Sequence, residues 1–225
     1  MSGINEFSEE LWHTISEKQL DVFRSTGIPI PKLAIFLMGI PASGKNTIIN
    51  NFLMNYTTLD LSHFVIIDPD LMMEYLDGYN GSKAADFNKM GVILSSKIMN
   101  YTLLSDFSFI YFGTGKNYKQ YESTIKKAKK NGFFTVLINV EIDKSIAKIR
   151  SSKRALKTGR SVSSKVINNI NNRLKNTSKN TRIKKHVGKT NFTILKELSS
   201  VSPKILDYWI VYNNNTTPIV VDKNF

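Results

Sequence analysis

The sequence Gly39-Ile-Pro-Ala-Ser-Gly-Lys-Asn-Thr47 decides the fold of this chain. It follows the apolar run Leu33–Met38, which predicts a buried strand, and it precedes residues 47–54, which predict a helix. A glycine-bounded loop that ends in Gly-Lys between a strand and a helix is the pattern of a phosphate-binding loop. Its glycines let successive backbone N–H groups converge on a phosphate, and the helix directs its positive dipole end to the same point.

The lysine of this loop has the clearest predicted role. Lys45 can reach the β- and γ-phosphate oxygens of a bound nucleotide. Asn46 stands where a serine or threonine hydroxyl normally binds Mg²⁺, and an amide oxygen can ligate this ion or hold one of its waters. The other predicted nucleotide-binding residues of the loop are Gly39, Pro41, Ala42, Ser43, Gly44 and Thr47.

The composition fits a protein that buries its own core. Of 225 residues, 41% are apolar and none is cysteine, so the core needs no disulfides and a cytoplasmic location is expected. Residues 1–20 lack the apolar region of a signal peptide, and no run of about 18 apolar residues predicts a membrane span. We expect a single domain over residues 1–225, with residues 1–30 forming an N-terminal helix packed on it.

Positive charge is concentrated in residues 144–189, called here the basic segment. It contains fifteen Lys and Arg residues and no Asp or Glu, whereas the whole chain carries a formal net charge of +13. One interpretation is a solvated helical face, and the other is a surface for phosphates of a nucleotide or a nucleic acid. The basic segment lacks Phe, Trp and Tyr, so it does not support base stacking of the kind that single-strand binders use. We attribute the asparagine-rich stretches 168–180 and 213–215 to compositional bias.

Apolar strands and helical segments alternate along the chain. The predicted strands are 33–38, 63–67, 107–112, 133–140, 207–212 and 218–221, and the main predicted helices are 6–24, 47–54, 83–104 and 118–130. Continuous apolar strands that alternate with helices indicate an α/β fold of the P-loop NTPase type, with a parallel sheet covered by helices on both faces. Ligands of such sheets bind at the carboxyl ends of the strands.

Two aspartates follow the second predicted strand. Asp68 and Asp70 are the strand-end carboxylates nearest the predicted nucleotide in this fold. A carboxylate there can deprotonate an attacking hydroxyl or hold Mg²⁺ through a water. Asp-Pro-Asp is also good chemistry for starting a helix. Both interpretations are compatible, with Asp68 as the cap and a candidate metal ligand and Asp70 as the catalytic base.

Three arginines lie in the basic segment. Arg150 and Arg154 are four residues apart and therefore share one face of a helix, and Arg160 follows in a predicted turn. A mobile helix and turn that offers guanidinium groups to a nucleotide is the lid arrangement of small phosphotransferases, so we place a lid within residues 143–189. The alternative is an exposed basic helix without such a role.

Taken together, these motifs resemble the zeta toxin family of P-loop kinases. The resemblance runs from about residue 33 to 162 and rests on Gly-x-Pro-x-Ser-Gly-Lys, Ile-Asp-Pro-Asp, Gly-Thr-Gly-Lys-Asn and Arg-x-x-x-Arg followed by Thr-Gly-Arg-x-Val. It implies use of ATP and Mg²⁺ to phosphorylate the 3′-hydroxyl of UDP-N-acetylglucosamine. By position it implies Lys45 on the β- and γ-phosphates, Asp70 as the general base, and Arg150 and Arg160 on the transferring phosphoryl group.

The sequence departs from that family at two positions. Asn46 replaces the Mg²⁺-binding hydroxyl, and Phe112 stands where family members often carry an acidic residue that positions the sugar. The resemblance nevertheless leads us to expect an ATP-dependent kinase whose partners are a nucleotide and a small-molecule hydroxyl acceptor, a nucleotide sugar or a related compound. Whether a partner protein neutralises the chain is left open. One alternative is a polynucleotide 5′-hydroxyl kinase that binds nucleic acid through the basic segment. The other is a catalytically degenerate P-loop protein that binds nucleotide or RNA.

Overall fold

The computed structural model describes residues 2–27, 32–81, 84–158, 162–175, 189–200 and 204–224. These residues contain one six-stranded sheet whose order is β2-β3-β1-β4-β5-β6. In chain order the strands are β1 (Leu33–Met38), β2 (Val65–Ile67), β3 (Phe109–Phe112), β4 (Phe134–Glu141), β5 (Tyr208–Asn213) and β6 (Ile219–Asn224). The predicted α/β fold of the P-loop NTPase type is confirmed.

Eight α-helices accompany this sheet in the described residues. They are α1 (Ser2–Thr26), α2 (Lys45–Tyr56), α3 (Pro69–Glu74), α4 (Ala84–Leu103), α5 (Tyr118–Lys130), α6 (Lys144–Thr158), α7 (Ser164–Leu174) and α8 (Asn191–Ser199). The bounds of α5 are those predicted, because Asn117 caps its start and Gly132 follows its end with a φ of 84°. Helix α8 is not among the predicted elements.

Strand β1 lies in the middle of the sheet, between β3 and β4, and all six of its residues are therefore buried. Its side chains alternate between two apolar clusters, one on each face of the sheet. Phe36 belongs to a cluster with residues of α1, α4, α5 and α8, whereas Ile35 belongs to a cluster with residues of α2 such as Phe52. Helices therefore cover both faces, as the continuous apolar strands predict.

The last strand departs from the predicted parallel arrangement. Strands β1 to β5 pair in parallel, but β6 pairs antiparallel with β5, for example Tyr212 with Val220. The connection of residues 214–218 explains the difference, because parallel neighbours need a crossover of a dozen or more residues. Strand β6 is mostly exposed, and its apolar side chains alone do not reveal its direction.

The parallel strands bring five loops to one edge of the sheet. The carboxyl ends of β1 to β5 are followed by Gly39, Asp68, Gly113, Ile142 and Asn214. This edge is where α/β sheets bind ligands, so the fold brings the phosphate loop and Asp68 to the expected region. In the part of the chain that is described, none of the helices has the length and apolar character needed to cross a membrane.

Candidate functional site

The loop between β1 and α2 has the geometry of an anion site. Gly44 precedes the first residue of α2 with a φ of 83°, and no side chain caps the helix there. The backbone N–H of Ser43 donates to Ile40 (3.2 Å), and that of Ile48 donates to the carbonyl oxygen of Gly44 (3.1 Å). The first N–H groups of an uncapped helix need an external acceptor, and a phosphate supplies one with favourable charge.

The middle of this loop is strained and closely packed. Ala42 has a φ of 62°, a left-handed conformation that costs an L-residue roughly 1–2 kcal/mol. Ser43 is fully buried, whereas Pro41 and Ala42 are half-buried. Left-handed backbone of this kind concentrates at ligand-binding sites, which fits a loop shaped to present its N–H groups.

Lys45 is the first residue of α2 and folds back over the loop. Its ammonium group donates hydrogen bonds to the carbonyl oxygens of Gly39 (3.0 Å) and Ile40 (3.2 Å). Burial lowers the pKa of Lys45 to about 8, while the charges of Asp68 and Asp70 oppose the shift. Lys45 therefore lies within electrostatic reach of both aspartates.

The two aspartates after β2 have different positions in α3. Asp68 is the N-cap of α3, and its carboxylate accepts a 2.9 Å hydrogen bond from the backbone N–H of Asp70. Pro69 occupies the first position of the helix, where its missing N–H costs nothing. The capping interpretation of Asp68 is therefore confirmed, and Asp70 lies in the first turn of α3 with a partly exposed side chain.

Two of the three predicted arginines lie beside the loop. Arg150 and Arg154 both belong to α6, and Arg154 adds to the lowering of the pKa of Lys45. A guanidinium nitrogen of Arg150 lies 3.6 Å from the position that a Cβ on Gly44 would take. Helix α6, which lies within the predicted lid, therefore brings these two arginines to the phosphate loop. Arg160 lies outside the described residues.

The candidate metal ligands offer oxygen atoms. Asn46 and Thr47 are exposed in the first turn of α2, and Asp68 lies near Lys45 across the loop. The described residues hold no group of three or more His, Cys, Asp or Glu side chains that could bind a metal ion. Such a sparse donor set fits Mg²⁺, which keeps several waters and shares the oxygens of a substrate phosphate.

The end of β3 is shaped by an aromatic hydroxyl. Tyr121 of α5 is buried and donates a 2.8 Å hydrogen bond to the carbonyl oxygen of Leu37 in β1. A Cβ on Gly113 would overlap this hydroxyl, so the turn after β3 accepts only glycine without rearrangement. Phe112 is buried in the apolar cluster on the α2 face of the sheet. Phe112 is therefore a core residue at the position where the resemblance leads one to expect an acidic side chain.

Sequence reasoning missed the asparagines at the end of β5. The side chain of Asn214 is buried and donates a 2.6 Å hydrogen bond to the carbonyl oxygen of Ser43 in the phosphate loop. The guanidinium of Arg150 donates a 3.4 Å hydrogen bond to the backbone carbonyl oxygen of Asn215. Asn214 and Asn215 therefore make structural contacts that the compositional interpretation of residues 213–215 does not predict. The strand-end rule that selected Asp68 could have found them if it had been applied to β5 as well.

A cavity of about 350 Å³ opens beside the loop, at the ends of β1, β4 and β5 and under α7 and α8. Its floor is apolar, with Met38, Ile40 and Phe192. Its polar lining consists of four amides, two carboxylates, a hydroxyl and one ammonium group, from Asn139, Asn171, Asn213, Asn215, Glu141, Asp143, Thr190 and Lys175. This lining carries more negative than positive charge and is rich in neutral hydrogen-bonding groups.

The sequence of the chain matches a family model. The model described as zeta toxin matches residues 23–196, which is most of the chain. Among curated proteins, none matches this sequence.

Solved structures show the same fold at low sequence identity. A structure from the characterisation of the PezAT chromosomal toxin-antitoxin system of Streptococcus pneumoniae has a TM-score of 0.67 and 15% identity, covering 94% of this chain and 79% of that chain. A chain of the AvrRxo1-ORF1:AvrRxo1-ORF2 complex with ATP has a TM-score of 0.70 and 11% identity. That match covers 97% of this chain but 66% of the other one.

Proposed function

The chain belongs to the zeta toxin family and is a P-loop phosphotransferase, and from this premise we propose its reaction. It transfers the γ-phosphate of ATP to a hydroxyl group of a nucleotide sugar or a related small acceptor. The observation that carries this proposal is the group of charges at the phosphate loop. The charges of Asp68 and Asp70 raise the pKa of Lys45, and that of Arg154 lowers it. Cations for a polyphosphate and a carboxylate for a hydroxyl proton thus lie within electrostatic range of one another.

The proposed chemistry uses the residues of this cluster in distinct roles. The acceptor oxygen attacks the γ-phosphorus, the bond from that phosphorus to the β,γ-bridging oxygen breaks, and ADP leaves. Asp70 takes the proton of the attacking hydroxyl. Lys45 neutralises the β- and γ-phosphates, while Arg150 and Arg160 stabilise the charge on the transferring phosphoryl group.

The proposed reaction uses a Mg²⁺ ion beside these residues. Asn46 and Asp68 would hold it together with phosphate oxygens and waters, and Thr47 offers a hydroxyl one residue later. When bound, the ion neutralises charge on the phosphates of the nucleotide. Asn46 would then act as an amide ligand in place of the usual hydroxyl.

The cavity beside the loop favours a small acceptor. Its lining offers amides and carboxylates that suit the hydroxyl and amide groups of a sugar or the edges of a base. A polynucleotide would place phosphates against Glu141 and Asp143, and like charges oppose such binding.

Two other activities each have observations in their favour. Exposed cations such as Lys153, Lys157 and Arg173 on α6 and α7 favour a polynucleotide 5′-hydroxyl kinase. Asn46 and the buried Phe112 favour a degenerate protein that binds nucleotide without turnover. The toxin-antitoxin system named for a similar structure supports the further proposal that a partner protein neutralises this chain.

An acceptor screen tests the proposal. The protein is incubated with Mg²⁺ and γ-labelled ATP in the presence of nucleotide sugars, free nucleotides, or a short RNA with a 5′-hydroxyl. We expect label in a nucleotide sugar or nucleotide product. Label in the RNA would instead support the polynucleotide kinase, and ATP binding without any labelled product would support the degenerate protein. Lys45→Ala is the control for contaminating kinases.

A further inference from the structure

The end of β5 is fastened to the phosphate loop. The side-chain amide of Asn214 donates a 2.6 Å hydrogen bond to the carbonyl oxygen of Ser43, and the two residues are 171 positions apart. The backbone N–H of Asn214 donates to the carbonyl oxygen of Glu141 in β4 (2.9 Å). Asn214 is almost fully buried, so water competes little for these bonds.

The approach of Asn214 to the loop is close enough to restrict the residue beside it. A Cβ on Gly44 would overlap the side-chain amide nitrogen of Asn214. Gly44 is thus required both for its φ of 83° and for the space that the asparagine occupies. The loop and the asparagine form one packed unit at the start of α2.

The neighbouring Asn215 is bonded to helix α6 and to Asp143, the residue that precedes this helix. Its side chain accepts a hydrogen bond from the backbone N–H of Asp143 (2.8 Å) and donates one to the carboxylate of Asp143 (3.2 Å). Its backbone carbonyl oxygen accepts a 3.4 Å hydrogen bond from the guanidinium of Arg150. The turn is further fixed by a 3.1 Å bond from the N–H of Asn215 to the side chain of Asn213.

We propose that Asn214 and Asn215 are positioning residues for phosphoryl transfer, Asn214 for the phosphate loop and Asn215 for Arg150. This inference rests on the proposed kinase function. Asn214 holds the carbonyl group of Ser43, which fixes the orientation of the following peptide units and so the direction of the N–H groups at the start of α2. The hydrogen bonds of the Asn215 side chain to Asp143 fix the backbone of Asn215, whose carbonyl oxygen orients the guanidinium of Arg150.

The two asparagines therefore act on different steps. The loop binds the phosphates of ATP in the ground state, so a loosened loop weakens ATP binding. Arg150 is proposed to stabilise charge that develops in the transition state, so a displaced guanidinium slows transfer with little change in ATP affinity. A merely structural role for both residues would instead lower thermal stability and leave ATP affinity and transfer rate unchanged.

The test compares Asn214→Ala, Asn214→Asp and Asn215→Ala with the control Asn55→Ala. Asn55 is an exposed residue of α2 whose side chain donates a 2.7 Å hydrogen bond within its own helix, to the carbonyl oxygen of Asn51. Three quantities are measured, namely hydrogen-deuterium exchange of a peptide covering residues 39–47 without ligand, the Kd for ATP with Mg²⁺, and the rate of phosphoryl transfer at saturating ATP. Asn214→Asp keeps the size of the side chain but cannot donate to Ser43.

We expect about tenfold faster exchange in the loop peptide and about tenfold weaker ATP binding for Asn214→Ala, because one buried hydrogen bond is lost. Asn214→Asp should weaken ATP binding more, since its carboxylate repels the phosphates. Asn215→Ala should keep the ATP affinity within about twofold and slow transfer about tenfold. Asn55→Ala should match the wild type in all three quantities.

Wild-type exchange and wild-type ATP affinity in both Asn214 variants would overturn the proposal, as would unchanged transfer by Asn215→Ala. Failure of both Asn214 variants to fold would make Asn214 a structural residue and would also overturn it. If the wild type bound no ATP, the kinase function would fail, and the exchange measurement on the unliganded protein would still decide whether Asn214 orders the loop.

Discussion

The ammonium group of Lys45 lies 3.0 Å from the carbonyl oxygen of Gly39, so the lysine is bonded to the loop that it follows. This bond and the second one to Ile40 hold a cation over the phosphate loop. Binding of a polyphosphate would exchange these carbonyl acceptors for charged oxygens, which accept stronger hydrogen bonds. The lysine is thus held over the loop by neutral carbonyl acceptors, which the phosphate oxygens of a nucleotide can replace.

The first prediction concerns the charge of Lys45. Lys45→Ala should weaken ATP binding by roughly 10- to 100-fold, because charge-assisted hydrogen bonds to the phosphates are lost. Isothermal titration calorimetry measures the affinity, and a thermal melt of the unliganded protein checks the fold. Equal ATP affinity in the variant and the wild type would refute the assignment of the phosphate loop.

The second prediction concerns proton uptake. Since burial lowers the pKa of Lys45 to about 8, about half of the unliganded molecules lack this proton at pH 8. Bound phosphates favour the charged ammonium and raise its pKa, so ATP binding should take up roughly half a proton at pH 8 and weaken as the pH rises above 8. Calorimetry in two buffers of different ionisation enthalpy measures the uptake. Lys45→Met should abolish it, and uptake that persists in this variant would assign the titration to another group.

The same pKa has a consequence for stability with the opposite trend. The folded-state pKa of Lys45 lies below the ordinary value of 10.5, so the unfolded chain binds the proton more readily between about pH 8 and 10.5. The cost of burying the ammonium is fully present below pH 8 and is relieved as the pH rises through this interval. ATP affinity and this contribution to folding stability should therefore change in opposite directions.

How much was predictable from sequence depended on whether the signal was local. The strand Leu33–Met38 and the helix Tyr118–Lys130 were predicted with their observed bounds, because a continuous apolar run and a capped helix are local patterns. The direction of β6 depended on the length of a connection rather than on its side chains. The contact between Asn214 and Ser43 joins residues far apart in sequence, and no local pattern encodes it.

The third prediction tests the metal ligand. Asn46→Thr restores the usual hydroxyl and should lower the Mg²⁺ concentration needed for half-maximal transfer, because this position faces the proposed ion. A titration of initial rate against Mg²⁺ at fixed ATP measures this. An inactive wild type that gains activity with threonine would favour the degenerate protein, and an unchanged titration would assign the role to Thr47 or a water.

The fourth prediction separates the acceptors by their dependence on salt. A polynucleotide would neutralise several phosphates on the protein, and each contact with a single strand steepens the dependence of log affinity on log salt by about 0.7. Replacement of the exposed Lys153, Lys157 and Arg173 by glutamine should leave transfer to a small acceptor within about twofold, since solvent screens the charges of exposed side chains. Tight binding of a 5′-hydroxyl RNA that falls steeply with salt and is lost in this triple variant would contradict the small acceptor.

The most direct measurement for the whole account is the single-turnover rate of phosphoryl transfer by Asp70→Asn and Asp68→Asn at saturating ATP. Asparagine also caps helices well, so Asp68→Asn should preserve α3 and remove only a carboxylate that is proposed to hold Mg²⁺. Excess Mg²⁺ should therefore restore the rate of Asp68→Asn but not that of Asp70→Asn. We predict that Asp70→Asn binds ATP like the wild type and transfers phosphate roughly 100- to 10,000-fold more slowly, because the general base is lost. Transfer by Asp70→Asn near the wild-type rate would contradict the account, and a large loss in Asp68→Asn alone that excess Mg²⁺ does not restore would move the base to Asp68.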